Sequence, residues 1–197
     1  FKSINLVTGF TAGTNFIVPG AFLSQNFEIT YELGTLIILP ATLTVKADNK
    51  NTTYGTAPVY TSTITGYQYD DNDASVIASV NGLTYTPAAS NTIPKGTYSI
   101  VPSGLQLIIP DNPNGIFNPS PQPNYIVSYQ NGTLNVGVLN ITGSFTVSDK
   151  VYDGNTSAVV LNRSLNGVVG TDNVTLNGGT ATFPDKNVNP VGLPKTV

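Results

Sequence analysis

Residues Asn26-Phe27-Glu28-Ile29-Thr30-Tyr31-Glu32-Leu33-Gly34-Thr35-Leu36 line up without a gap with Asn124-Tyr125-Ile126-Val127-Ser128-Tyr129-Gln130-Asn131-Gly132-Thr133-Leu134, 98 residues further on. Self-similarity at a domain-sized spacing restricts the chain to architectures built from modules in series. Each copy reads as two strands around a tight turn. Asn131-Gly132 supplies the positive φ that a two-residue hairpin demands, and Leu33-Gly34 takes its place upstream. A weaker echo precedes each copy, Leu6-Val7-Thr8-Gly9 against Val101-Pro102-Ser103-Gly104. The expected organisation is therefore the C-terminal part of a first module over 1–39, a complete module over 40–137, and a third unit over 138–197. That third unit lacks the closing hairpin and is expected to be incomplete. The chain starts at Phe1 and contains no Met, so it reads as a piece of a longer protein.

Composition sets the fold class. Hydrophobic residues make up 40% of the 197 and charged residues only 10%, so solubility falls to neutral Thr, Asn, Ser and Gly, which suit strands and turns and support helices poorly. The class expected is all-β. Pro40 opens a unit whose Leu43 and Val45 alternate with Thr and Lys at strand period. Further strands are expected at Val59–Thr65, Gly82–Thr86, Gly96–Val101, Leu105–Ile109, Asn124–Tyr129 and Thr133–Val138. The acidic stretch 70–78 is the place for a helical turn, with Asp side chains near its start. Pro110 to Pro123 is too rich in Pro and Asn for a central strand and reads as an inserted surface loop. Tandem antiparallel immunoglobulin-like β-sandwich modules are the architecture expected, with a β-grasp-like variant in which 70–78 provides the helix.

The same composition removes whole classes of function. A net charge of -3 with no basic stripe argues against nucleic acid as a partner. No apolar run reaches 18 residues, so this segment is not expected to insert in a membrane. Without Cys there is no disulfide framework or thiolate zinc site, and without His there is no Ser-His-Asp triad and no imidazole ligand. An enzyme is not expected, nor is a cofactor.

Several residues invite functional readings all the same. Asp70, Asp71 and Asp73, with Asn72, could offer oxygen ligands to calcium, though not at EF-hand spacing; a solvated loop or helix start is the better explanation of them. Asp111, Asn112 and Asn114 are poorer candidates because Pro113 interrupts them. Tyr67 and Tyr69 could share a strand face beside the acidic run and present a sugar-binding platform, with Tyr60 and Tyr85 nearby in sequence. Glu28 and Glu32 resemble a glycosidase pair only in spacing, with no cleft evident. Lys46 or Lys150 would be candidates for an isopeptide bond only if buried beside a carboxamide and a carboxylic acid. No catalytic residue is assigned.

Two stretches resemble known families. Pro40 through Lys50, then Tyr54-Gly55, Ile64-Thr65-Gly66, Gly96-Thr97-Tyr98 and the closing Asn124-Tyr125 through Asn131-Gly132-Thr133-Leu134 resemble the MBG domain of the YGX type. Residues 26–39 are similar to its closing segment. Lys150-Val151-Tyr152-Asp153-Gly154-Asn155-Thr156, Gly167-Val168-Val169-Gly170, Asp172-Asn173-Val174 and Ala181 through Val188 resemble the YDG domain. The resemblance implies a segment of a giant secreted adhesin-like protein at the bacterial cell surface, of a kind that includes gliding-motility and surface-filament proteins. On that footing the expected role is a spacer or stalk whose partners are the neighbouring repeats of the same chain. The rival is a module that binds surface glycans or proteins through the 110–123 loop and exposed Tyr residues. In both families' words, Tyr54 and Tyr152 read as packing residues beside a Gly that permits a turn.

Overall fold

The computed structural model describes residues 4–110, 122–190 and 193–195. Nearly all regular structure in it is strand, and contacts divide the chain into two units, 1–137 and 138–197.

The first unit begins with β1 (Leu6–Val7), β2 (Gly13–Val18) and β3 (Gly34–Ile38), an antiparallel sheet in the order β1-β2-β3. It continues with β4 (Ala41–Ala47), β5 (Lys50–Thr53), β6 (Ser62–Thr65), the single helical turn α1 (Asp73–Val76), β7 (Thr84–Thr86), β8 (Gly96–Ser103), β9 (Tyr125–Gln130) and β10 (Gly132–Gly137). These later strands form two sheets, β6-β4-β9 and β5-β10-β8-β7.

The all-β class is as expected, but the ladders are not antiparallel throughout. β4 pairs with β9 in parallel from Ala41 opposite Tyr125, and β5 pairs with β10 in parallel from Lys50 opposite Leu134. The shift is 84 residues in both pairs, so the opening and closing strands of 41–137 run side by side as one parallel ladder that changes sheets midway. This overturns the hairpin expected at Asn131-Gly132. β9 and β10 do not fold back on each other, and Gly132 has no positive φ. Its requirement is closeness: a Cβ there would lie 2.6 Å from the Ala47 carbonyl oxygen and 2.9 Å from that of Asp48. Asn49 Oδ1 accepts from the Thr133 amide at 2.8 Å across the same crossing. Gly34, the upstream equivalent, likewise starts a strand and turns nothing.

The register also corrects the weaker echo. Gly34 pairs with Ile17 and Ile38 with Gly13, while Gly132 pairs with Ile100 and Val136 with Gly96. β2 therefore matches β8, Gly13-Thr14 with Gly96-Thr97 and Ile17-Val18-Pro19 with Ile100-Val101-Pro102, at a shift of 83. The shifts of 83 and 98 differ by 15 residues, the extra length that 41–137 carries between these strands. A tyrosine repeats the match: the Tyr129 hydroxyl accepts from the Leu105 amide at 2.8 Å, and that of Tyr31 from the Phe22 amide at 2.5 Å.

Alternation places Leu43, Val45 and Ala47 of β4 wholly inside. Leu43 and Val45 join Val76, Leu105 and Tyr125 in one core cluster, and Ala47 joins Ile100, Leu134 and Val136 in another. The segment Leu105–Ile109 is not a strand and contributes one bridge, Leu107 to Ile77. The expected turn within 70–78 is present but, at four residues, is too short to cover a sheet as a β-grasp helix would.

The second unit contains β11 (Thr142–Val147), β12 (Ser157–Ala158), β13 (Val160–Asn166) and β14 (Ala181–Thr182), paired antiparallel as β11-β13 and β12-β14. Among its described residues only Ala181 is buried. No helix among the described residues is long and apolar enough to cross a membrane.

Candidate functional site

Two clusters concentrate the ionisable groups, one in each unit. In the first unit, the acidic run is built around the start of α1. Asn72 caps the turn, accepting from the Ala74 amide at 2.9 Å while the Ser75 hydroxyl accepts from the Asn72 amide at 3.0 Å. The capped turn aims two carboxylates at two phenols. The Tyr125 hydroxyl donates to Asp71 Oδ2 at 2.6 Å and accepts from the Gln68 amide at 2.9 Å, and the Tyr67 hydroxyl donates to Asp73. The two rings meet edge to face with centroids 6.3 Å apart. Burial, reinforced by the acceptor carboxylates, holds both phenols above their ordinary pKa. The knot fastens β9 to the loop before α1.

That arrangement decides how the predicted residues are used. Asp71 and Asp73 are committed to tyrosines, and Asp70 offers its carbonyl oxygen to Asn72 Nδ2 at 3.3 Å. No group of three or more acidic side chains that could hold a metal occurs among the described residues. Tyr67 and Tyr69 do not share a strand face, because β6 ends at Thr65. Tyr67 is half-buried, whereas Tyr69 sits at φ 52° and is fully exposed, so no paired platform forms. Tyr60 and Tyr85 pack together with centroids 5.3 Å apart; Tyr85 meets Ser62 Oγ at 2.9 Å, and the buried Tyr60 hydroxyl has no protein partner. Glu28 and Glu32 lie in an exposed stretch outside any strand. Asp111, Asn112, Asn114 and most of the 110–123 loop lie outside the described residues. The loop's two ends, Pro110 and Pro123, border a cavity of about 160 Å³ together with Asp71, Ser75 and Tyr125.

The second unit holds a cavity of about 450 Å³ whose lining includes Lys150, Tyr152, Phe183, Asp185 and Lys195. Both lysines are enclosed by oxygens. Lys150 Nζ donates to Asn155 Oδ1 at 2.7 Å and to the carbonyls of Asn155 and Ser157 at 3.0 Å, and pairs with Asp153 Oδ1 at 2.8 Å. Lys195 Nζ reaches Asp185 Oδ1 at 2.6 Å and the carbonyls of Asp185 and Asn187 at 2.8 and 2.6 Å. These ammonium groups pull Asp153 and Asp185 below the usual carboxylate range, helped by the Asn155 and Asn187 amides. Chemically each cage resembles a cation site whose cation is tethered to the chain. The sequence carried this as two Asp-x-Asn words, 153–155 and 185–187, which residue-by-residue reading passed over.

Lys150 meets a carboxamide and a carboxylate, as an isopeptide site would, but it approaches the amide oxygen as a donor and its carboxylate neighbour is exposed and stabilised in the ionised form. Lys46 stands on β4 opposite Thr63 and Gln130. Of the two tyrosines of the family words, Tyr54 packs on the second core cluster beside Gly55 at φ 93°, whereas Tyr152 is 58% exposed at the cavity. The packing expectation fails for Tyr152 because this unit has so little core to offer it.

No curated protein and no solved structure matches the chain. Residues 43–135 match the MBG domain (YGX type), and residues 135–196 match the YDG domain. The boundary between the two matches falls within two residues of the division between the units at 137. The chain carries an MBG domain of the YGX type followed by a YDG domain, an arrangement consistent with the extracellular repeat or adhesin-like kind.

Proposed function

We propose that this chain is a spacer segment in the stalk of a large, secreted bacterial cell-surface adhesin, working through reach and mechanical continuity and not through catalysis. The observation that carries the reading is the repetition of β2, β3 and the Tyr31 contact in β8, β10 and the Tyr129 contact. Repeated modules joined by connectors as short as Leu39-Pro40 add length with each copy. A module of about 100 residues has a radius of gyration near 13 Å, so each copy adds on the order of 40 Å. The ionisable clusters support the same reading, since their carboxylates and amines are spent on holding loops. A gliding-motility or other surface-filament protein is the narrower form of this proposal.

The test is antibody raised against this chain and applied to intact, unpermeabilised cells, combined with electron microscopy of the purified full-length protein. Surface label and thin filaments containing repeated units are the expected result. Label that appears only after permeabilisation would overturn it. The second reading, a glycan- or protein-binding module, rests on the inserted loop, whose ends frame a cavity beside the acidic turn. Glycan-array binding that disappears when 111–121 is deleted would favour that reading.

A further inference from the structure

We propose that residues 27–38 form a strand-acceptor face, and that its occupant is the opening strand of a module of the same kind, added in parallel. The inference rests on taking 1–39 as the closing part of such a module, and it does not depend on the stalk reading.

In the complete module, the closing strand has three neighbours. β10 lies between β8 and β5, and β9 pairs with β4. In the upstream copy, β3 has the equivalent of β8, namely β2, but among the described residues its other edge carries no strand. The segment equivalent to β9, 27–32, has no partner strand among the described residues and is not itself a strand.

Side chains tell the same story position by position. Phe27 is 77% exposed, and its equivalent Tyr125 is 4% exposed against Leu43 and Val45. Ile29 is exposed where Val127 packs on that cluster. Leu36 and Ile38 are only partly buried where Leu134 and Val136 are inside. The face is thus apolar at the positions that β4 and β5 cover in the complete copy. Polar Thr and Asn, which would suit a permanently solvated face, do not stand there.

The complete module also specifies the occupant. Its opening strand presents Leu43, Val45 and Ala47 on one side, runs parallel to the closing strand, and bends where Gly132 admits the Ala47 and Asp48 carbonyls. Gly34 keeps the corresponding position free of a Cβ. A strand with that pattern would pair first with 27–32 and then, past the bend, with the free edge of β3. Main-chain bonding gives the attachment and the alternate apolar side chains give the register.

The test joins a second copy of residues 40–53 to the N-terminus of the full chain through a flexible Gly/Ser linker. A linker of about 20 residues spans roughly 25 Å, and intramolecular attachment removes the affinity of a free peptide from the question. Amide hydrogen exchange is read at 27–32. Exchange slowed by about tenfold or more, relative to a control whose added copy carries Asn in place of Leu43, Val45 and Ala47, is the expected result. Equal exchange in the fusion and its control would overturn the proposal. Protection of β3 without 27–32 would overturn the parallel register. The surface and filament experiments above stand whatever this one returns.

Discussion

At the residue scale, two tyrosines make opposite predictions. Tyr125 gives and receives hydrogen bonds inside the first core, so Tyr125→Phe leaves Asp71 and the Gln68 amide without that partner and should cost about 1–2 kcal/mol in urea denaturation. The Tyr60 hydroxyl is buried with no protein partner, and Tyr60→Phe should be neutral or slightly stabilising. Equal losses in the two variants would refute the assignment. The same groups set the pH limits. Tyr67 and Tyr125 have raised folded pKa values, so their contribution is complete below the unfolded value of about 10 and is lost as pH climbs toward the folded values. Asp48, held low by hydrogen bonds from Thr61 and Thr63, and Asp153 and Asp185, held low by their lysines, contribute above about pH 4 and lose that contribution as pH falls through their lowered values. Stability measured against pH should therefore be flat between these limits and decline outside them. With Lys150 engaged as a donor, the intact mass should equal the sequence mass, and a loss of 17 Da, roughly one ammonia per bond formed, would contradict that role.

At the element scale, the informative feature is the point where the two long strands change sheets. Gly132 sits against the Ala47 and Asp48 carbonyls, so Gly132→Ala should destabilise by about 1–3 kcal/mol although Ala suits strands better than Gly. Gly154, with nothing within 4 Å of its ideal Cβ, instead reflects a positive φ of 75° in the Asp153-Asn155 turn. Urea midpoints for Gly132→Ala close to wild type would mean the crossing is looser than its distances. The hairpin expectation failed here for an instructive reason. Asn-Gly is a strong local turn signal, yet a glycine is equally demanded by close backbone approach, and only the neighbouring strand distinguishes the two.

For the whole molecule, the prediction concerns what holds the YDG unit together with so little core. Each of its two Asp-x-Asn turns wraps a lysine ammonium, so no free cation is needed at those places. A chelator should leave thermal melting unchanged. Lys150→Met or Lys195→Met should speed amide exchange in 138–197 modestly, since these pairs are partly exposed and screened by solvent, and leave unit 1 unaltered. A melting temperature that falls on chelation would assign the cages to a metal.

The sequence by itself determined the all-β class, the 98-residue repeat and the families, because side-chain alternation, poor helix formers and the words around Tyr54, Gly96, Asn124 and Lys150 are local and survive without coordinates. It placed most strands of 40–137 within a few residues. It missed β5 and β13, whose polar residues Lys50-Asn51-Thr52-Thr53 and Asn162-Arg163-Ser164 carry little apolar alternation. Only the tertiary structure decided the partners. Strand direction and register depend on residues 84 apart, and no local pattern encodes which of two edges a strand will meet. For the same reason Asp70, Asp71 and Asp73 read in sequence as calcium ligands, and Tyr67 and Tyr69 as a sugar platform. Tyr125, 54 residues from Asp71, and Tyr67, which donates to Asp73, make the two carboxylates a brace.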